Sequence, residues 1–363
     1  MKRFLCILMI TGAVVCKAQP RPFAVIAYYS GNAQQADSFA VEKLSHIIFS
    51  FCHLNGNRLQ VRNARDTAVI QKLVSLKGRN PAMKVLLSLG GWGGCETCSA
   101  VFSSRRDRKA FARSVKELCS YFGTDGIDLD WEYPAIAGYP GHQYKTEDRE
   151  NFTALIKQLR RELGNGYQIT FAAGGFNAYI DKAIEWKKIM NRIDYVNLMT
   201  YDLVGGYATT TGHHTPLYST DRQIESIDNC VNRLLSMKMP ARKLVVGAAF
   251  YGRMWEAVVD ADSGLYQKGN FKRSIAYKNF SSQLSIDSGF VYHWDEKAKA
   301  PYLYNPSRSL FVTHDDERSI AMKTKYAIDK GLGGIMFWEL SIDAYTGGLL
   351  DVIHDTRMKY GGR

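Results

Sequence analysis

The chain has 363 residues, 46% of them hydrophobic and 23% charged, with a formal net charge of +12. With a mean hydropathy of −0.24 it reads as a soluble globular protein, with room for one large domain or one domain carrying an insertion. The basic residues are dispersed and form no zinc-finger or RNA-binding signature, so the charge reads as a general surface property and no nucleic-acid partner is expected.

The N-terminus, MKRFLCILMITGAVVCKAQP, opens with Lys2 and Arg3 and continues with an apolar stretch from Phe4 to Val15. That stretch is too short to span a bilayer as a mature helix. Cys16-Lys17-Ala18 offers small residues where a signal peptidase wants them, so residues 1–18 are expected to be a secretory signal cut after Ala18. The mature chain would start at Gln19, carry about +9, and be secreted or periplasmic with no membrane span. A buried N-terminal element is the alternative; lipidation at Cys16 is opposed by the bulky Val15.

Short β-rich apolar runs then alternate with longer amphipathic stretches. The runs are FAVIAYY (23–29), HIIFSFC (46–52), MKVLLSLGG (83–91), TDGIDLDWE (124–132), QITFAAGG (168–175), DYVNLMTY (194–201), KLVVGAAFYG (243–252) and GGIMFWEL (333–340). Eight strands separated by helical patterns such as DRKAFARSVKELCSYF (107–122) point to the α/β class and a (β/α)8 TIM barrel. A doubly wound open sheet is the alternative, but no GxGxxG follows the first strand. About eighty residues separate strands seven and eight, far more than one helix needs. Within them, 257–310 is rich in aromatics and turn residues and reads as a small α+β insertion, leaving 19–256 and 311–363 as the two parts of the barrel. Of the cysteines, Cys95 and Cys98 are expected to form a local disulfide in an oxidising compartment. A redox motif or a zinc site fits their surroundings less well. Cys52, Cys119 and Cys230 read as core thiols.

The stretch DGIDLDWEYP (125–134) sets four carboxylates among residues that want burial. Alternate side chains of a strand share a face. Ile127, Leu129 and Trp131 would pack outward under the helices, with Asp125 on their side in a structural role. Asp128, Asp130 and Glu132 would point into the barrel, about 6.6 Å apart per step, rising to its C-terminal mouth. Packed carboxylates repel and are partly desolvated, so some must hold protons near neutral pH, and a protonated glutamic acid is a general acid. A wet amphipathic strand is the bland reading, but a closed parallel barrel has no wet face. A calcium loop lacks its sixth-position glycine and closing glutamate.

This stretch resembles the DxxDxDxE signature of glycoside hydrolase family 18, the chitinase family. Ser88-Leu89-Gly90-Gly91-Trp92 is similar to the family's SxGG motif, Met199-Thr200-Tyr201-Asp202 to its MxYD motif, and Phe250-Tyr251-Gly252-Arg253 to its YGR motif. Residues 212–218 (GHHTPLY) and Gly334 to Trp338 resemble further family segments, so the resemblance covers the whole mature chain in order. It implies a retaining chitinase that needs no cofactor or metal and cleaves β-1,4 bonds between N-acetylglucosamine units. Glu132 would protonate the glycosidic oxygen while the substrate's own N-acetyl oxygen attacks the anomeric carbon, an exception to the two-carboxylate scheme. Asp130 would hydrogen-bond the acetamido N–H, Asp128 would share a proton with Asp130, and Tyr201 would fix the attacking oxygen. Asp202 would bind sugar polar groups. Trp338 would be the floor under the reactive sugar, with Tyr28, Phe51, Gly91, Trp92, Met199, Tyr251 and Arg253 lining the cleft.

The expected partner is chitin or chito-oligosaccharides, and a monomer is expected. The rival enzyme is an endo-β-N-acetylglucosaminidase acting on glycan cores. The rival from another class is a chitinase-like lectin, which typically lacks the glutamate present here as Glu132. His314 stands where many members have tyrosine, which puts a substrate contact there in doubt. His213 and His214 are expected on a surface loop, because adjacent side chains point apart and no metal-ligand set accompanies them.

Overall fold

A computed structural model describes residues 22–361. The proposed signal segment therefore lies outside the described residues. Fourteen strands are present among them. They are β1 (Ala24–Tyr29), β2 (His46–Asn55), β3 (Arg58–Gln60), β4 (Lys84–Gly90), β5 (Gly126–Asp130), β6 (Gln168–Gly174) and β7 (Tyr195–Met199). Then come β8 (Leu244–Ala249), β9 (Tyr251–Glu256), β10 (Asn270–Ala276), β11 (Val291–Asp295), β12 (Ala300–Asn305), β13 (Leu310–Thr313) and β14 (Gly334–Trp338).

Eight of these close a parallel barrel. The hydrogen-bonded order is β1-β14-β8-β7-β6-β5-β4-β2, and β1 pairs β2 to complete the ring. The barrel is the (β/α)8 TIM fold, and all eight of its strands fall where the apolar runs lie in the sequence. Helices between the strands follow from amphipathic spacing and local caps. In the helix Arg105–Phe122, Phe111, Val115, Cys119 and Phe122 recur at helical spacing and are buried against the strands. Ser104 caps its first turn by accepting from Asp107 N at 3.3 Å, and Gly123 ends it at φ 73°, a conformation glycine adopts at no steric cost. The helix Glu317–Asp329 opens with a reciprocal capping box between Asp316 and Ser319.

Strand β5 shows the division of faces. Ile127, Leu129 and Trp131 are buried toward the helical layer, where the Trp131 ring lies 5.6 Å from Phe102 and 6.3 Å from Phe152. The barrel interior is filled by Ile26, Ile48, Leu86, Val245 and Met336, all fully buried. Asp125, just before β5, stitches the bottom of the barrel: it accepts from Val85 N at 2.8 Å and pairs with Lys77 and Lys84.

The second sheet has the order β10-β9-β13-β12-β11 and is antiparallel. It takes in residues 251–313, wider at each end than 257–310, because β9 follows β8 after the single residue Phe250. It is tied to the barrel loops by His213 Nε2 to Asp295 at 3.0 Å and by Trp255 Nε1 donating to Ala208 O at 2.9 Å. Cys95 and Cys98 are joined by a disulfide with Cα atoms 5.3 Å apart, while Cys52, Cys119 and Cys230 are free and buried. No helix among the described residues is long and apolar enough to cross a membrane.

Candidate active site

The inward face of β5 carries Asp128 and Asp130, and Glu132 follows at the mouth of the barrel. Their surroundings differ by depth. Asp128 is fully buried and accepts four hydrogen bonds from four other strands. Thr170 Oγ1 (2.6 Å) and Asn197 Nδ2 (3.2 Å) donate to one oxygen, and Ser88 Oγ (2.8 Å) and Tyr28 Oη (3.1 Å) to the other. Burial raises its pKa, and these four donors oppose the rise. Ser88 belongs to the motif at 88–92 but has no role assigned there, and nothing in the sequence pattern singles out Thr170 or Asn197, whose convergence on Asp128 exists only in the closed barrel.

Asp130 has no such shell. It is 4% exposed, and its Oδ1 is buried without a hydrogen-bond partner. Burial and the neighbouring Glu132 and Asp128 charges hold its carboxyl well above the usual range. Glu132 is half-buried, and its carboxyl is pushed up to about 8 by desolvation, with the Asp202 charge adding to the rise. The column is thus one satisfied carboxylate beneath two that resist ionisation.

The remaining motif residues gather around this column. Tyr201 is mostly buried, and its hydroxyl meets only the Met336 sulfur, at 3.9 Å. Asp202 adopts φ 57°, a left-handed conformation that aspartate tolerates better than most residues, at the turn after β7. Its carboxylate accepts from Tyr251 Oη at 2.7 Å and from both Arg253 Nε and Arg253 Nη2. Desolvation opposes ionisation, but His214 and Arg253 hold the Asp202 carboxyl well below its usual range. Tyr251 and Arg253 stand on β9, so the second sheet contributes directly to the site. Met199 ends β7 and is buried against the barrel interior.

Aromatic rings surround the mouth. Trp338 ends β14, with Phe51 stacked on it at 5.6 Å and 13° and Tyr28 tilted beside it at 5.8 Å. Gly91 sits at φ 79°, and a Cβ there would lie 2.4 Å from the Phe51 ring. Trp92 is 47% exposed, with Tyr139 at 5.5 Å and Tyr207 at 6.3 Å. A cavity of about 590 Å³ continues past Phe51 and Trp92, bounded by His53, Arg62, Tyr139 and His142.

Two expectations change. Tyr28, read as a cleft-lining ring, is 1% exposed and directs its hydroxyl to Asp128, so it supports the column from below. His213 and His214, read as surface histidines, are both buried. His213 pairs with Asp295 of the second sheet, and His214 Nδ1 lies 3.5 Å from Asp202. The sheet covers this loop, which no local pattern could announce. Tyr139 and Tyr207 went unnoticed as single aromatics in loops. No group of three or more potential ligands that could hold a metal ion occurs among the described residues.

A model of the family described as glycosyl hydrolases family 18 matches residues 24–343. Chitinase A1 of Niallia circulans is 34% identical over 298 residues, covering 76% of this chain and 42% of that protein. The chain therefore spans less than half the length of that relative. Chitotriosidase-1 of Mus musculus is 32% identical over 331 residues, covering 84% of this chain and 68% of that protein. Among solved structures, a family 18 N-acetylglucosaminidase from Paenibacillus barengoltzii superposes with a TM-score of 0.84 at 36% identity, covering 92% of this chain and 99% of that one.

Proposed function

This chain belongs to glycosyl hydrolases family 18, and from that premise we propose that it is a retaining chitinase using its substrate's acetamido group as nucleophile. The observation that carries the reading is Glu132, a carboxylic acid at the barrel mouth pushed up to about 8. At neutral pH it holds the proton that a sugar leaving group needs.

The proposed reaction runs in two steps. Glu132 gives its proton to the glycosidic oxygen as the bond from that oxygen to C1 breaks. The N-acetyl carbonyl oxygen bonds to C1, forming an oxazolinium ion. Water then adds to C1, giving a proton to Glu132 and reopening the ring, with net retention. Asp130, whose Oδ1 lacks a partner, accepts the acetamido N–H, and the positive charge that grows there favours the ionised carboxylate that in turn offsets it. Tyr201, whose hydroxyl meets only a thioether, donates to the carbonyl oxygen and fixes its angle. Asp128 stays below as the anchored member of the column. The pair Trp338 and Phe51 stacks against the reactive sugar, and Trp92 with Tyr207 holds the next ones. Asp202, clamped by Arg253 and Tyr251, presents its exposed edge to sugar polar groups.

The similarity to an N-acetylglucosaminidase over nearly its whole length favours a second reading, release of single N-acetylglucosamine units. Product analysis on a chito-hexamer, beside a high-mannose glycopeptide, separates these readings. Dimers and longer oligomers are expected. Monomer alone would select the second reading, and cleavage of the glycopeptide alone would overturn both. Fully deacetylated oligomers should not be cut, since they lack the internal nucleophile; turnover at a comparable rate would point to an enzyme carboxylate instead.

A further inference from the structure

A second cavity, of about 610 Å³, opens between the small sheet and the barrel loops after β13 and β14. It shares no lining residue with the site above. Its aromatic walls are Tyr277, Phe280 and Tyr292; the first two pack edge to face at 5.2 Å, and Tyr292 is 47% exposed on β11. Its polar walls are Asp316, Glu317 and His314.

The hydrogen bonds already made inside it define what remains. Tyr292 Oη donates to Asp316 at 2.9 Å, and Tyr277 Oη donates to Glu317. Lys278, also in the wall, donates to Ser341 O at 2.8 Å. Burial lowers the His314 pKa and keeps the ring neutral. Its Nδ1 lies 3.0 Å from the Asp315 carbonyl, so that nitrogen carries the proton and Nε2 is left as an acceptor. Nε2 is buried and has no partner, in a side chain 4% exposed. Lys278 keeps two further N–H donors, and Ser281, also in the wall, keeps its hydroxyl, so the bonding groups left over include both donors and acceptors, set among aromatic faces. A ligand that matches has an apolar face and a rim of hydroxyl or amide groups that both donate and accept. A pyranose unit has this character.

We propose that this pocket is a second saccharide-binding site, holding an N-acetylglucosamine stretch of the polymer outside the catalytic cleft. The inference rests on the chitin reading given above. The site would hold the enzyme on long or insoluble chains and contribute nothing to bond cleavage.

The test uses the full chain with Glu132→Gln, which prevents turnover, alone and combined with Tyr292→Ala and Glu317→Gln. Both pocket residues are exposed enough for the fold to tolerate the change, which a melting curve checks. Calorimetry with chitotetraose should give two sites for the first protein and one, of unchanged cleft affinity, for the second. Retention on insoluble chitin should fall about fivefold. In the active background, the pocket substitutions should leave turnover of a chromogenic dimer unchanged. Equal stoichiometry and retention in both proteins would overturn the second site while leaving the chitinase reading intact. Pocket binding confined to glucosamine oligomers would overturn it in favour of a site for ammonium groups. An active-background enzyme that cuts no chito-oligosaccharide, with no binding in the Glu132→Gln protein, would remove the chitinase reading and this inference together.

Discussion

Asp315 and Asp130 are both buried carboxylates, and the fold treats them in opposite ways. Asp315 lies where the second sheet returns to the barrel. Its oxygens receive Lys323 Nζ at 2.6 and 2.7 Å, Ser319 Oγ at 2.6 Å and Ala249 N at 3.1 Å. Lys323 is completed in turn by Thr215, so a fully buried ion pair has every partner it needs. Asp130 lies beside two other carboxyls with one oxygen unpaired. A charge kept for architecture is neutralised on the spot, because an unpaired buried charge costs several kcal/mol. Where a carboxyl is left short of donors, the missing partner belongs to something the protein binds.

The sharpest way to break this comparison is at the mouth of the column. Glu132→Gln should lower turnover of an unactivated oligomer by at least ~10²–10⁴. A variant retaining a tenth of wild-type activity would remove Glu132 as the acid. The same substitution should leave stability intact at acid pH and raise it at alkaline pH. The folded-state pKa of Glu132 is raised to about 8, so whatever stability its proton lends is fully present below the unfolded value and lost as pH rises through 8. Glutamine has no proton to lose. Wild-type activity should decline later, as pH rises through about 8, since only the protonated acid serves; melting curves and kcat profiles from pH 4 to 10 check both halves.

On the architectural side, Lys323→Met should cost about 3–5 kcal/mol by stranding Asp315. Denaturant melts would reveal it, and an unchanged midpoint would show that Asp315 is not a buried charge in need of a partner. Tyr28→Phe should cost less, about 1–3 kcal/mol, because Asp128 keeps three of its four donors. It should also leave oligomer affinity nearly unchanged, since the ring is kept and only the hydroxyl that serves Asp128 is removed. Trp92→Ala sits at the small end for stability, within about 0.5 kcal/mol for so exposed a ring. Its effect should appear as a raised KM on long oligomers, with a short chromogenic substrate hardly affected.

Strand β5 was legible because two periodicities agree there. Alternation put Asp128, Asp130 and Glu132 on one face, and eight apolar runs separated by helical patterns implied a barrel to receive them. The motifs at 88–92, 199–202 and 250–253 were legible through their resemblance to those of the family, each lying at the end of an apolar run. What escaped depends on distant chain. His214 is buried because a sheet formed by residues 251–313 covers it, and Tyr28 turned out to be a foundation because Asp128, a hundred positions away, needs its hydroxyl. Thr170 and Asn197 are ordinary polar residues in strands until the ring closes. The cis peptides at Ser50-Phe51, Glu132-Tyr133 and Trp338-Glu339 involve no proline and carry no mark in the sequence.

The shell of Asp128 also bears on how the chain reaches this state. Its donors come from β1, β4, β6 and β7, with Tyr28 and Asn197 lying on opposite sides of β5 in the sequence. A partly assembled barrel that lacks one arc would bury the carboxylate before its donors arrived, or hold it in water at the cost of the core around it. Either way such intermediates are penalised relative to both the open chain and the finished ring. The residue under the reaction centre therefore acts as a clasp for the cylinder, favouring the closed ring over half-built forms.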